Sequence, residues 1–139
     1  MSQFATILRV RTHGRGLYEF TNDLIEWVDA HGLETGLLTL FCRHTSASLL
    51  IQENAAPAVR DDIEAFFEVL APEDKVRYSH DDEGPDDMPA HIRAALTAVS
   101  LSIPIVGGQL ALGTWQGVYL FEHRRAPHQR EVAAHLLGP

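Results

Sequence analysis

The chain has 139 residues, a length that suits one domain with a buried core. Apolar residues make up 45% and charged residues 22%, a balance that excludes collagen-like, low-complexity and largely disordered chains. Acids outnumber bases 19 to 11, and the net charge of −8 argues against a nucleic-acid binder working by general electrostatics.

Residues 3–11 read as a strand anchored by Phe4, Ile7, Leu8 and Val10. His13-Gly14-Arg15-Gly16 is a turn. Thr21 is placed to cap a helix over about 22–31, with Leu24, Ile25, Trp27 and Val28 on its buried side and Gly32 as its stop. The apolar run 36–43 is a central strand, and 48–52 a second short one. Pro57 opens a helix over about 57–70, with Val59, Ile63, Phe66, Phe67 and Leu70 as its apolar stripe. Residues 71–89 are irregular and acidic. Pro89 opens a third helix to about 98, with Ile92, Ala95, Leu96 and Val99 facing inward. Gly107-Gly108 joins two strands as a hairpin turn, and 114–123 is a further strand. Residues 129–137 fit a strand or a helix equally. The pattern is α+β in a single domain, 1–139, with about three helices.

No apolar run approaches the ~18 residues of a membrane span. The start MSQFATILRVRT lacks a basic segment followed by an apolar one, so a cytoplasmic protein without a signal peptide is expected. The single cysteine, Cys42, excludes an internal disulfide and a Cys-rich zinc site, and its apolar setting suits an inert buried thiol.

The histidines are the chemical candidates. His44 lies where a strand ends, a place where functional side chains collect on a rigid scaffold; the alternative is a histidine that bonds local backbone. His80 and His91 bracket the acidic loop. If the loop folds back, they converge into a zinc-type centre; otherwise they are solvated. Asp81, Asp82, Glu83, Asp86 and Asp87 form a charge run beside a helix N-terminus, and of these Asp86 and Asp87 are the candidate site groups. Glu53 and Asn54 either serve a site or cap the helix after Pro57. Thr114, Trp115 and Gln116 lie between Gly113 and Gly117, and glycine in a strand often marks a close approach. Arg124, Arg125 and Arg130 are candidate phosphate holders or a solvated basic turn. No Walker A, G-x-G-x-x-G, G-x-S-x-G or H-E-x-x-H motif is present.

Four blocks point to a family. They are His-Thr-Ser-Ala-Ser-Leu at 44–49 with Glu53-Asn54, Tyr78-x-His80-Asp81 with Glu83-Gly84, Asp86-Asp87-Met88-Pro89-x-His91-Ile92, and Gly-Thr-Trp-Gln-Gly-Val at 113–118 with Glu122-His123-Arg124. With these in order over nearly the whole chain, the sequence resembles the YjbQ-like family. The resemblance implies a mixed, mainly antiparallel, partly barrel-like sheet, with a last strand over 129–137. It implies a homotrimer with sites near subunit interfaces. A divalent metal, zinc in the first place and magnesium with a diphosphate substrate, would be held by His44, His80 and His91. The implied activity is a secondary thiamine-phosphate synthase, joining a pyrimidine-methyl diphosphate to a thiazole phosphate and releasing diphosphate. On this reading His91, Asp87 and Glu53 are catalytic. Asn54, Thr114, Trp115, Gln116, Arg124 and Arg130 would line a cleft for a small phosphorylated or anionic substrate. A metal-dependent hydrolase or lyase, or a non-catalytic trimeric metal- or ligand-binding protein, are the alternatives.

Overall fold

A computed structural model describes residues 1–139. In chain order the elements are β1 (Ser2–Thr12), β2 (Gly16–Glu19), α1 (Thr21–Asp29), β3 (Gly36–Cys42), β4 (Ala47–Glu53) and α2 (Pro57–Leu70). Then follow α3 (Asp87–Leu96), β5 (Ser100–Val106), β6 (Gln109–Leu110), β7 (Gln116–Glu122) and β8 (His128–Gly138). One sheet has the order β1-β8-β3-β5-β6, the other β2-β7-β4, and every pairing is antiparallel. No helix is long and apolar enough to cross a membrane.

Period-two alternation builds the core. In β8 the buried positions are Arg130, Val132, Ala134, Leu136 and Gly138, and in β3 they are Leu38, Leu40 and Cys42. With Val118 and Leu120 of β7, Leu24 and Val28 of α1, and Ile103 and Ile105 of β5, these apolar side chains form one contiguous cluster, hence one domain. The strand expected over 36–43 is β3, in the middle of its sheet, and 129–137 is a strand. The Gly107-Gly108 turn has φ of 60° and 78°, and pairs Val106 with Gln109 as a tight hairpin requires.

The structure corrects several local expectations. Thr21 is the first helical residue rather than a cap; its hydroxyl donates to Glu19 at 2.7 Å and accepts from the Val118 amide at 2.8 Å. The four-residue β2, not expected, exists by pairing with β7. No residue of α2 is fully buried, and Phe66 and Leu70 are exposed. The helix instead covers the outer side of β7, where Phe67 meets Phe121 edge-on at 5.4 Å and Arg60 donates to the Tyr119 hydroxyl at 3.1 Å. Helix α3 starts at Asp87, two residues before Pro89, and its inward face is turned. Ala90, Arg93 and Ala94 are buried, while Ala95, Leu96 and Val99 are exposed.

Gly36 is fixed by close approach: a Cβ there would lie 2.7 Å from the Leu137 carbonyl oxygen. Backbone of the central sheet cannot yield as a side chain can. Gly36→Ala is expected to cost about 1–3 kcal/mol in urea unfolding with an unchanged m-value.

Candidate metal centre

The loop between α2 and α3 turns back at Gly84, whose φ of 101° is available to glycine. That turn brings Glu83 and His80 against the first turn of α3. Asp87 and His91, four residues apart, share one face of that helix. The ligand atoms of His80, Glu83, Asp87 and His91 all lie within 4.8 Å of one another.

Asp87 is the hub and is almost fully buried. Its Oδ2 faces His80 Nε2 at 2.8 Å and His91 Nε2 at 3.0 Å. Its Oδ1 accepts from Arg124 Nη1 at 2.7 Å. Burial alone would raise the Asp87 pKa, but the His80 hydrogen bond and the charges around it hold the carboxyl below its ordinary value. His80 is displaced the other way, upward, chiefly by its bond to Asp87. Glu83 Oε2 lies 3.2 Å from His80 Nε2.

The outer ring nitrogens are also engaged. His91 Nδ1–H donates to the Thr45 carbonyl at 3.0 Å, and His80 Nδ1 lies 3.4 Å from an Asp82 oxygen. His91 therefore turns Nε2 inward while an outside acceptor fixes its tautomer, the form that metal-binding histidines take, whereas the Asp82 oxygen beside His80 makes an ion-pair contact and no hydrogen bond. Two imidazole nitrogens and two carboxylates suit zinc, and also manganese or iron; the donors present fit a metal.

Arg124 binds this cluster together. Besides Asp87, it donates from Nε to Asp86 at 3.2 Å and from Nη2 to the Glu83 carbonyl at 3.0 Å. Its donors serve carboxylates and loop backbone rather than a free phosphate site. Asp86 takes the Arg125 amide as well, at 2.9 Å, and sits below its ordinary pKa because these bonds outweigh burial.

His44 stands apart from this group. Its Nε2 accepts the Glu131 amide at 2.7 Å, and its Nδ1 lies 3.5 Å from Arg130 Nη1. An imidazole whose Nε2 accepts carries its proton on Nδ1, so neither nitrogen offers a lone pair to a metal in this arrangement. Arg130 is itself buried, giving Nε and Nη2 to Glu122 and Nη2 to Ser46 as well. The Glu122 carboxylate stays below its ordinary pKa because these partners overcome its burial.

The remaining candidates lie at the opposite end of β7. Glu53 pairs in register with Gln116, and β7 runs six residues from there to Glu122, about 20 Å at the usual strand rise. Glu53 Oε2 accepts the Ala56 amide at 3.3 Å, which braces the entry to α2. Asn54 donates to Glu19 at 3.1 Å, and Gln116 Oε1 accepts the Gly113 amide at 2.7 Å. Thr114 and Gln116 line a separate cleft of about 350 Å³ with Thr21 and Asp29, and Trp115 is 63% exposed. Glu83 is the member of the cluster that sequence reasoning passed over; the His80-x-x-Glu83-Gly84 spacing, with a turn-forming glycine, was its signal.

The YjbQ-like UPF0047 family model matches residues 6–139. A UPF0047 protein of Synechocystis is 57% identical over 136 residues, covering 98% of this chain and 92% of that protein. The UPF0047 protein YjbQ of Salmonella typhimurium is 45% identical over 125 residues, covering 89% and 90%. Among solved structures, a conserved hypothetical protein of Thermus thermophilus is 36% identical with a TM-score of 0.80, covering 95% of this chain and 99% of that one. A YjbQ/UPF0047 protein of Clostridium acetobutylicum is 33% identical with a TM-score of 0.82, covering 96% and 99%. Agreement in sequence and in fold over nearly the full length places the chain in the YjbQ-like UPF0047 family.

Proposed function

We propose that His80, Glu83, Asp87 and His91 hold a divalent metal, zinc first among them, and that the loaded site acts on a small phosphorylated or carboxylated molecule. The observation that carries this reading is the paired presentation of two Nε2 atoms to one Asp87 oxygen, with the His91 Nδ1 held from outside by the Thr45 carbonyl. A metal there would supply Lewis-acid polarisation of a phosphoryl or carbonyl oxygen. The chain's own residues set the geometry: Arg124 fixes Asp87 and the 83–87 loop, and the Thr45 carbonyl fixes the His91 ring.

Thiamine-phosphate formation is the named reaction that the family resemblance suggests, and it stays part of this proposal. A departing diphosphate needs positive charge. Arg124 and Arg130 are already paired with carboxylates, so the reaction would lean on the metal, magnesium included, more than on these arginines.

A homotrimer belongs to the same reading. Glu53, Asn54, Thr114, Trp115 and Gln116 cannot reach the cluster of their own chain across about 20 Å of strand, but a neighbouring copy can bring them to it. The exposed Leu37 and Phe66 supply apolar surface for such contact.

Zinc titration by calorimetry tests the assignment. Wild type is expected to take up stoichiometric zinc. His91→Ala is expected to lose it and His44→Ala to keep it. Zinc retained by His91→Ala, or lost from His44→Ala alone, removes this cluster from the reading. Light scattering of the same samples is expected to give the mass of three chains; a monomer would detach the far-end residues from the site.

A further inference from the structure

The cleft beside His44 holds two donors with nothing to accept from them. The Glu131 amide fixes His44 as the Nδ1–H tautomer. That N–H faces Arg130 Nη1 at 3.5 Å, and a guanidinium nitrogen is always a donor. Nη1 makes no other hydrogen bond, while Nε and Nη2 of the same residue are fully used. The Arg130 side chain is 5% exposed, so bulk water solvates this spare donor poorly. Burial first and Arg130 second lower the His44 pKa, and protonation would not relieve the conflict, because it leaves the Nδ1–H and makes Nε2 a donor against the Glu131 amide. Two N–H groups aimed at one another are satisfied by a single acceptor placed between them.

The surroundings describe that acceptor. His44 and Arg130 lie in an open cleft of about 620 Å³, too large for a lone water. Phe41, Val99 and Ala133 give it an apolar wall, and Phe41 and Val99 stand exposed with no partner in the chain's core. Arg43 stands at the rim, already paired with Glu131 at 3.1 Å. A nearly buried arginine, an oriented imidazole N–H and an apolar wall make a site for an oxyanion with an apolar body.

We propose that this cleft is a binding site for a small organic anion, whose carboxylate or phosphate oxygen accepts from His44 Nδ1–H and Arg130 Nη1–H together while its apolar part lies against Phe41, Val99 and Ala133. The site adjoins the His80–His91 cluster, since Thr45 lines the cleft while its carbonyl holds His91 Nδ1, but its two donors are no part of that cluster and need no metal there.

The test uses the full chain with ¹⁵N-labelled histidine. The imidazole spectrum of wild type is expected to show His44 as the Nδ1–H tautomer. Phenyl phosphate and benzoate are then titrated, with inorganic phosphate as the reference, by calorimetry and by the His44 Nδ1 resonance. At least one aromatic anion is expected to bind saturably, tighter than inorganic phosphate, and to shift that resonance. Which one binds separates a phosphoryl from a carboxylate ligand. His44→Phe keeps a ring but loses the N–H, and is expected to bind about tenfold more weakly. Ala133→Glu leaves both donors and puts a tethered carboxylate at the mouth; it is expected to lose added-ligand binding. An Nε2–H tautomer, equal affinity in His44→Phe, or no saturable binding at millimolar concentration overturns the proposal. So does binding that appears only on dilution of an oligomer, which would assign the cleft to a carboxylate of a second copy.

Discussion

Asp87→Asn is expected to weaken zinc binding by about a hundredfold or more, the largest loss of any single conservative change in the cluster. Asp87 Oδ2 is the one atom that both Nε2 atoms face, so this carboxylate is where the two imidazoles meet. Asparagine keeps the size and removes the charge that offsets the cation. Its amide would also either turn an N–H against the Arg124 donor or turn one toward the imidazole Nε2 atoms, where it would occupy the lone pairs that the metal needs. Asp82→Asn is the contrast. It touches only the outer nitrogen of His80, and the expected loss is about tenfold. Thermal unfolding gives a second readout. With free zinc at about a hundredfold above the wild-type Kd, wild type gains about 2.7 kcal/mol, and Asp87→Asn at the same zinc gains no more than about 0.4 kcal/mol. Equal zinc stabilisation of the two proteins would place the metal elsewhere.

The second large effect is a pH dependence of stability from His123. The residue is 1% exposed, and its Nε2 lies 2.8 Å from Ser48 Oγ. Burial, then the charges of Arg93, Arg130 and Arg15, pull its pKa down to about 3. Nδ1 has no partner, nor do Nε and Nη2 of the fully buried Arg93, which pairs with Glu64 at 2.7 Å. The ring is therefore neutral in the fold, while in the unfolded chain it titrates near 6.5. As pH falls below that, the unfolded state takes the proton first. The stabilisation is complete above about pH 6.5 and lost progressively toward pH 3, at up to about 1.4 kcal/mol per unit. Urea unfolding of wild type and His123→Gln at pH 7 and pH 5 isolates this term, because other acids contribute alike to both. The gap between the two proteins is expected to narrow by about 2 kcal/mol at the lower pH. The same gap at both values would mean that His123 titrates normally in the fold.

How far these features were legible in the sequence differs by element, for physical reasons. Strands β3 and β5–β6 follow from apolar runs and paired glycines, which are local signals. Strand β2 follows from nothing local; four residues become a strand because β7 lies beside them. The inward face of α3 was misread because Arg93 is buried through a charge partner on α2, and hydrophobic periodicity does not see charge pairing. Placing the start of α3 at Pro89 also hid the spacing of Asp87 and His91, which becomes a shared face only once both are helical. The bracketed acidic loop and the family motifs single out His80, His91 and Asp87 in the sequence by themselves. The family resemblance adds His44 to them as a ligand. What redirects it is the Glu131 amide, 87 residues away in sequence and brought close by the β3–β8 pairing. Asn54 and the Thr114–Gln116 segment share the family's motifs with the cluster yet sit at the other end of a strand, because sequence blocks carry no direction along a sheet.

The position of β8 has a consequence for how the chain is made. It is the last of the eight strands in sequence, yet it lies between β1 and β3, pairing with both. Until residues 128–138 leave the ribosome, β1 has no neighbour in its sheet, and Leu38 and Leu40 lack the Val132, Ala134 and Leu136 side chains they share a core with. The strand that completes the sheet must find a partner more than 100 positions earlier, so folding waits on the most distant contacts in the chain. During synthesis the half-made sheet presents open edges, and it is in that interval that the protein is exposed to chaperones and to aggregation.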